Sequence, residues 1–163
     1  MTRIGIISDT HAYLYPGITK QLSKADLILH AGDIGNLETL ERLKNMKPVK
    51  AVYGNIDGTD IRQECSEYLD FEIEGIKVLM MHIGGYPGKY TTQAREMIRS
   101  IKPKLFISGH SHILKIMPDK KNNLLHINPG ACGKAGLHKK ITSVFLNIHN
   151  GEFKDLEVYE KDR

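Results

Sequence analysis

Cysteine is scarce in this chain and tryptophan is absent. Only Cys65 and Cys132 occur among the 163 residues, and they do not form a C-x-x-C pair. Two isolated thiols exclude a disulfide framework and argue against a cysteine-based structural zinc site. Reduced thiols are typical of a reducing compartment, and the N-terminus lacks the basic and apolar segments of a signal peptide. We therefore expect a cytoplasmic protein.

Long apolar runs and long basic runs are also missing. No apolar run approaches the length of a membrane span, so we expect no membrane partner. No run of Lys and Arg exceeds two residues, and the formal net charge is only +4. Such a charge suits a small anionic substrate and does not require nucleic acid. Because repeats, low-complexity segments and linker compositions are absent, residues 1–163 are predicted to form one domain.

The first third of the chain alternates between short apolar runs and helical patterns. Residues 4–7, 25–30 and 49–53 predict three buried strands. A helical turn is predicted at residues 18–22, and a longer helix follows Asn36 as its N-cap and ends before Pro48. This strand–helix–strand order predicts parallel pairing of the three strands.

The rest of the chain contains mostly hairpins. Strands are predicted at residues 68–73 and 76–81, at 105–107, at 113–117 and 124–127, and at 143–148 and 153–158. Asn150-Gly151 is typical of a type I′ turn. A loop is expected at residues 84–89, a helix at 91–101 and a turn at 128–130. The predicted fold class is α/β, with two mixed β-sheets packed face to face and helices outside, a four-layer αββα sandwich.

Polar residues of metal-ligand type stand at or just after the ends of the apolar runs. They are Asp9, His11, Asp33, Asn55, His82, His110 and His112. Sites in open α/β sheets form outside the carboxyl ends of strands. Asp9 and His11 are two residues apart, so an extended backbone would place both side chains on one side.

The chemistry of this set favours two metal ions. Imidazole and carboxylate ligands suit divalent Mn, Fe or Zn, with Ni and Co as further possibilities. Seven ligands are too many for one tetrahedral ion, but they suit two ions that share one bridging carboxylate. Two ions about 3.5–4 Å apart hold an oxyanion and generate hydroxide near neutral pH.

Five short motifs carry a family resemblance across residues 4–130. They are D-T-H at 9–11, G-D at 32–33, G-N at 54–55, the single His82, and G-H-S-H at 109–112. In order and approximate spacing they resemble the calcineurin-like metallophosphoesterases. The short length and the N-P-G turn at 128–130 resemble the small phosphodiesterase branch of bacteria and archaea, which is related to the retromer subunit Vps29.

The resemblance implies a role for each ligand position. One metal, most simply Mn²⁺, would take Asp9, His11, Asp33 and His112. The second would take Asp33, Asn55, His82 and His110. Asp33 would bridge the two metals, and the catalytic residues would be Asn55, Asp33, His82 and His110. The implied reaction is attack of a metal-bridging hydroxide on the phosphorus of a small phosphodiester.

Several alternatives stay open at this stage. Many relatives have His after G-N, whereas this chain has Ile56, so Asp57 is either a general acid or an ordinary turn residue. Tyr13, Tyr86 and Tyr90 could stack on an aryl group or base. His30 is expected to support the site without binding metal. A Vps29-like binding scaffold and a phosphomonoesterase or nucleotide phosphatase are the rival functions, and a homodimer is possible.

Overall fold

The computed structural model describes all residues, 1–163, and contains two five-stranded sheets, one small hairpin and four helices. The strands are β1 (Thr2–Ile7), β2 (Leu27–His30), β3 (Val49–Ala51), β4 (Tyr68–Ile73), β5 (Ile76–Met81), β6 (Gly85–Tyr86), β7 (Lys89–Tyr90), β8 (Leu105–Ile107), β9 (Leu114–Asp119), β10 (Leu124–Pro129), β11 (Lys140–His149) and β12 (Glu152–Asp162). The helices are α1 (Pro16–Leu22), α2 (Leu37–Met46), α3 (Thr59–Glu64) and α4 (Thr92–Ile101).

The first sheet has the strand order β12-β11-β1-β2-β3. Strands β1, β2 and β3 are parallel, as predicted. Strand β11 pairs antiparallel with β1, and β12 pairs antiparallel with β11 at the edge of the sheet. The β11–β12 hairpin turns at Asn150 and Gly151, whose φ angles are +50° and +77°. Positive φ at both central residues is the requirement of a type I′ turn, so that prediction is confirmed.

The second sheet has the order β4-β5-β8-β10-β9. Its three central strands, β5, β8 and β10, are parallel, and the edge strands β4 and β9 pair antiparallel with their neighbours. Both sheets are therefore mixed: the parallel strands form one side of the first sheet and the centre of the second. In each sheet, the carboxyl ends of the parallel strands are where the predicted ligands begin.

Three apolar layers hold the sandwich together. The largest lies between the sheets and contains Ile4 and Leu29 from the first sheet and Val78 and Ile107 from the second, all fully buried. A second layer packs α1 and α2 on the outer face of the first sheet. A third packs α4 against β5, β8 and β10 of the second. The predicted four-layer αββα arrangement is confirmed.

The structure differs from the sequence prediction at three places. Helix α3 was not predicted, because its six residues show only one buried apolar position, Ile61. The predicted loop at 84–89 contains β6 and the start of β7, which form a two-stranded hairpin. Asn128 and Pro129 continue β10, so only Gly130, at φ +73°, forms the expected turn.

No helix is long and apolar enough to cross a bilayer.

Candidate metal centre

The structure brings the seven predicted ligands into two adjacent groups. The ligand atoms of the first group lie within 4.8 Å of one another, and the same holds for the second. The first group is Asp9, His11 and His112; the second is Asp33, His82 and His110. Asn55 joins the second group, because its Oδ1 lies 3.1 Å from His82 Nε2 and 3.0 Å from His110 Nδ1.

Asp33 lies between the two groups with one oxygen toward each. Its Oδ1 is 3.3 Å from His82 Nε2, and its Oδ2 is 3.5 Å from His11 Nε2. In the first group, Asp9 Oδ1 is 3.3 Å from His112 Nε2. Two atoms that bind one ion at about 2.1 Å stand about 3.0–3.4 Å apart, so these spacings fit an ion within each group.

Two buried polar atoms in the first group have no hydrogen-bond partner. They are Asp9 Oδ1 and His11 Nε2. An unpaired buried carboxylate oxygen is expensive unless a cation neutralises it. The other oxygen of Asp9 is already satisfied, since Oδ2 accepts from the Ser8 hydroxyl at 2.6 Å and the His110 N–H at 3.1 Å. The unsatisfied atoms are therefore those that would face a metal ion.

Most of the ligand residues adopt left-handed backbone conformations, which set the directions of their side chains. Five of the seven have positive φ: +54° at Asp9, +46° at His11, +55° at Asp33, +72° at His110 and +61° at His112. The expectation that an extended backbone brings Asp9 and His11 together was wrong. The chain turns sharply after β1 instead. Such conformations are unfavourable for residues with a Cβ and persist where surrounding contacts enforce them.

Two of those enforcing contacts join the loops after β1 and β2. The Asp9 N–H donates to the Gly32 carbonyl at 2.9 Å, and the His11 N–H donates to the Asp33 carbonyl at 3.0 Å. Glycine is required where the loops approach most closely. A Cβ at Gly54 would lie 2.0 Å from Asp33 Oδ1. These contacts explain why the ligands are preceded by glycine in G-D and G-N.

The electrostatics of the site are those of a cation-binding centre. Burial opposes ionisation of Asp9, but the nearby imidazoles of His11 and His112 outweigh it and hold the Asp9 pKa well below its usual range. Burial likewise opposes charge on His82, yet its contact with Asp33 and the charge of Asp9 raise the His82 pKa. The Asp9 pKa is lowered by neighbouring imidazoles, and the His82 pKa is raised by neighbouring carboxylates. A divalent cation would neutralise the charge of the same carboxylates.

The family model of the calcineurin-like phosphoesterase superfamily domain matches residues 2–151. The chain belongs to this superfamily. Membership and the two ligand groups together support a metal-dependent phosphoesterase. The resemblance carried by the five motifs is thereby confirmed.

Relatives within the superfamily agree with this membership. A probable metallophosphoesterase of Methanocaldococcus jannaschii is 35% identical over 135 residues, which span 78% of this chain and 67% of that protein. The solved structure of an archaeal phosphodiesterase aligns with a TM-score of 0.70 at 25% identity, covering 96% of this chain and 99% of that one. A mutant Vps29 from Entamoeba histolytica has the same fold, with a TM-score of 0.78 at 20% identity and 99% coverage of both chains.

Asp57 has a structural role that the superfamily motif alone did not reveal. Its carboxylate is almost fully buried and accepts three backbone N–H groups, from Ile34 at 3.1 Å, Gly35 at 2.9 Å and Gly54 at 2.8 Å. These donors belong to the loops after β2 and β3, which carry Asp33 and Asn55. Asp57 therefore fixes two ligand loops against each other, and its geometry does not support a general acid.

The neighbouring histidines orient the loops and the ligand rings. His30 is fully buried; its Nδ1 accepts from the Gly32 N–H at 3.1 Å, and its Nε2 lies 3.0 Å from the Thr10 hydroxyl. Burial lowers the His30 pKa to about 4, so the ring is neutral. His82 donates from Nδ1 to the Ala31 carbonyl at 2.7 Å, which leaves Nε2 for a metal. The supporting role expected for His30 agrees with this geometry.

Of the three tyrosines considered for stacking on a substrate, only one borders a cleft beside the ligands. The Tyr90 hydroxyl donates a hydrogen bond to the Asp119 carboxylate at 2.7 Å, so it is not available to a substrate. Tyr13 lies under the ammonium of Lys134, whereas Tyr86 is part of a cleft beside the ligands. The ring of His138 packs edge-on against that of His112, with the ring centroids 5.2 Å apart.

Proposed function

We propose that this chain is a phosphodiesterase that works with two divalent metal ions. The observation that carries the proposal is the pair of ligand groups with Asp33 between them. The first ion would be held by Asp9, His11, Asp33 and His112. The second would be held by Asp33, Asn55, His82 and His110. Nitrogen and oxygen donors without thiolate favour Mn²⁺ as the metal, with Fe²⁺ and Zn²⁺ as rivals.

Bound metal ions would supply Lewis acidity toward the phosphoryl oxygens and a nucleophile from water near neutral pH. The chain itself positions the substrate. Asn55 turns Oδ1 toward His82 and His110, so its NH₂ group is free to donate to a phosphoryl oxygen. Hydrolysis breaks one ester P–O bond and forms a bond from phosphorus to the water oxygen. The departing alcohol takes its proton from solvent, because no side chain offers one at Ile56.

Three clefts border the ligands, and two of them, which share Ile83 and Thr91, favour a diester over a monoester. The Asn55 cleft, about 380 Å³, is bordered by Asn55, His82 and Arg62. The His110 cleft, about 200 Å³, is bordered by His110 and Ile113. The clefts meet at Ile83, which lines both. A phosphodiester carries two ester groups on one phosphorus, so each cleft can receive one, whereas a monoester leaves one cleft empty.

Metal content and substrate preference test this proposal together. Protein stripped with a chelator and reconstituted with Mn²⁺ should bind two ions per chain by elemental analysis. It should hydrolyse bis(4-nitrophenyl) phosphate with a higher kcat/KM than 4-nitrophenyl phosphate. One ion or none would refute the two-metal centre. A preference for the monoester would make the chain a phosphomonoesterase, and two ions without turnover of either ester would favour a binding scaffold.

A further inference from the structure

The His110 cleft has an apolar rim that the two-metal centre does not require. Ile83, Tyr86 and Ile113 line it, with exposed fractions of 42%, 37% and 64%. Ile83 directly follows His82, and Ile113 directly follows His112. Single exposed apolar residues are ordinary on protein surfaces. Three around one cleft beside a phosphoryl-binding centre indicate a surface that an apolar ligand group covers.

The shape of the cleft selects a flat group of limited size. Gly84, Gly85 and Gly109 contribute backbone without side chains to its lining. His126 also borders the cleft; it is fully buried, and its ring packs against Phe106 with centroids 5.5 Å apart. A cavity of about 150 Å³ accommodates benzene. A cleft of about 200 Å³ therefore admits one six-membered ring and has little room for a fused ring system.

Lys115 fixes the aromatic part of the rim. Its ammonium lies 3.7 Å from the centroid of the Tyr86 ring, a cation–π contact that covers one face of that ring. Tyr86 is 37% exposed, so part of the residue remains accessible to a guest ring. Edge-to-face and offset arrangements are the geometries that aromatic pairs prefer. The rim thus offers an aromatic contact and two aliphatic contacts.

We propose that the His110 cleft binds an aromatic ring carried by the phosphoryl group or by its ester oxygen, which makes aryl phosphodiesters the substrate class. The proposal rests on the proposed function in one respect, the placement of the phosphoryl group at the metal centre. Ile83 and Ile113 are then specificity-determining residues. In a nucleotide the sugar separates the base from phosphorus, whereas an aryl ester carries its ring on the ester oxygen, so we expect a base to lie outside the His110 cleft.

Phosphonate binding tests the cleft without any turnover. The dissociation constants of phenylphosphonate and methylphosphonate would be measured by calorimetry on the Mn²⁺-reconstituted protein. Wild type should prefer phenylphosphonate by at least about tenfold, since even one methylene group in an apolar pocket is worth about 10–200-fold. The double variant Ile83→Ser/Ile113→Ser should lose most of that preference and keep its affinity for methylphosphonate.

The matched control is Leu156→Ser, which removes an aliphatic side chain on β12 that is 39% exposed and lines none of the clefts beside the ligands. It should keep the wild-type preference for phenylphosphonate. An unchanged preference in the double variant, or an equal loss in Leu156→Ser, would overturn the proposal. Thymidine 5′-monophosphate should bind wild type and double variant within about twofold of each other. A loss for this nucleotide larger than the loss for phenylphosphonate would also overturn it.

The proposed function and the cleft fail in distinguishable ways. Turnover of bis(4-nitrophenyl) phosphate without any phenyl preference in binding refutes the cleft and leaves the phosphodiesterase intact. A phenyl preference that depends on Ile83 and Ile113, without turnover of any diester, supports the cleft and refutes the phosphodiesterase.

Discussion

Replacing Asp57 with asparagine should loosen the two loops that carry Asp33 and Asn55. In the variant one carboxylate oxygen becomes an NH₂ group, which faces a backbone N–H instead of accepting from it. An unsatisfied buried donor costs about 1–3 kcal/mol, and the other bonds weaken by about 1 kcal/mol each when the charge is lost. We therefore expect the free energy of unfolding to fall by about 3 kcal/mol, which lowers Tm by roughly 6–12 °C in a chain of this size.

Urea denaturation of the chelator-treated protein, followed by far-UV circular dichroism, measures this loss without a contribution from bound metal. The control is Asp60→Asn, the same chemical change at an exposed carboxylate that accepts only from the neighbouring Ile61 N–H. Its stability should stay within about 0.5 kcal/mol of wild type. The dependence of log kcat/KM on leaving-group pKa should have the same slope in Asp57→Asn as in wild type.

Two results would refute this account of Asp57. A denaturation midpoint equal to that of Asp60→Asn would show that the three buried N–H groups do not depend on the carboxylate. Unchanged stability, combined with a loss of rate confined to diesters with poor leaving groups, would make Asp57 the general acid.

Three further predictions follow from the site and its surroundings. By elemental analysis, Asp33→Ala should lose both metal ions and His82→Ala mainly one. The control Asp70→Ala, which removes an exposed carboxylate on β4, should keep two. Full metal content in Asp33→Ala would contradict the bridging role of Asp33. Ile56→His should flatten the leaving-group dependence of the rate, because a general acid contributes about 10²–10⁴-fold for poor leaving groups; an unchanged slope contradicts this. Burial lowers the His126 pKa to about 4, so the unfolded chain takes up a proton below about pH 6.5 that the folded chain refuses. His126 should therefore lower the free energy of unfolding by about 2 kcal/mol between pH 7 and pH 5. Urea titrations at both pH values should show that His126→Leu lacks this decrease of about 2 kcal/mol. An equal decrease in the variant and in wild type would contradict the prediction.

The strand ends and the chemical identity of the ligands could be predicted from the sequence. Apolar runs of strand length mark β1, β5 and β8 clearly, and the polar residue that follows each run needs no tertiary information to be noticed. The ligand count predicted one shared carboxylate, and the resemblance to the calcineurin-like metallophosphoesterases implied that it is Asp33 and not Asp9.

The path of the backbone through the ligands was not predictable in the same way. Positive φ at Asp9 and His11 depends on hydrogen bonds to Gly32 and Asp33, which are distant in sequence. The anchoring role of Asp57 depends likewise on donors from Ile34 and Gly35 that only the folded chain brings near. Local patterns report local structure, whereas these features arise from contacts between loops.

The two ligand groups each draw side chains from both sheets. Asp9 and Asp33 follow strands of the first sheet, and His112 and His82 follow or precede strands of the second. A bound ion would therefore act as a cross-link between the sheets, comparable to a disulfide that closes a loop of about 100 residues, for which chain entropy alone gives about 4.7 kcal/mol. Metal loss would remove this cross-link only at the end of the sandwich that carries the ligands. Proteolytic cleavage should therefore begin in the ligand loops, while the β11–β12 turn, which lies at the opposite end of the first sheet, stays protected.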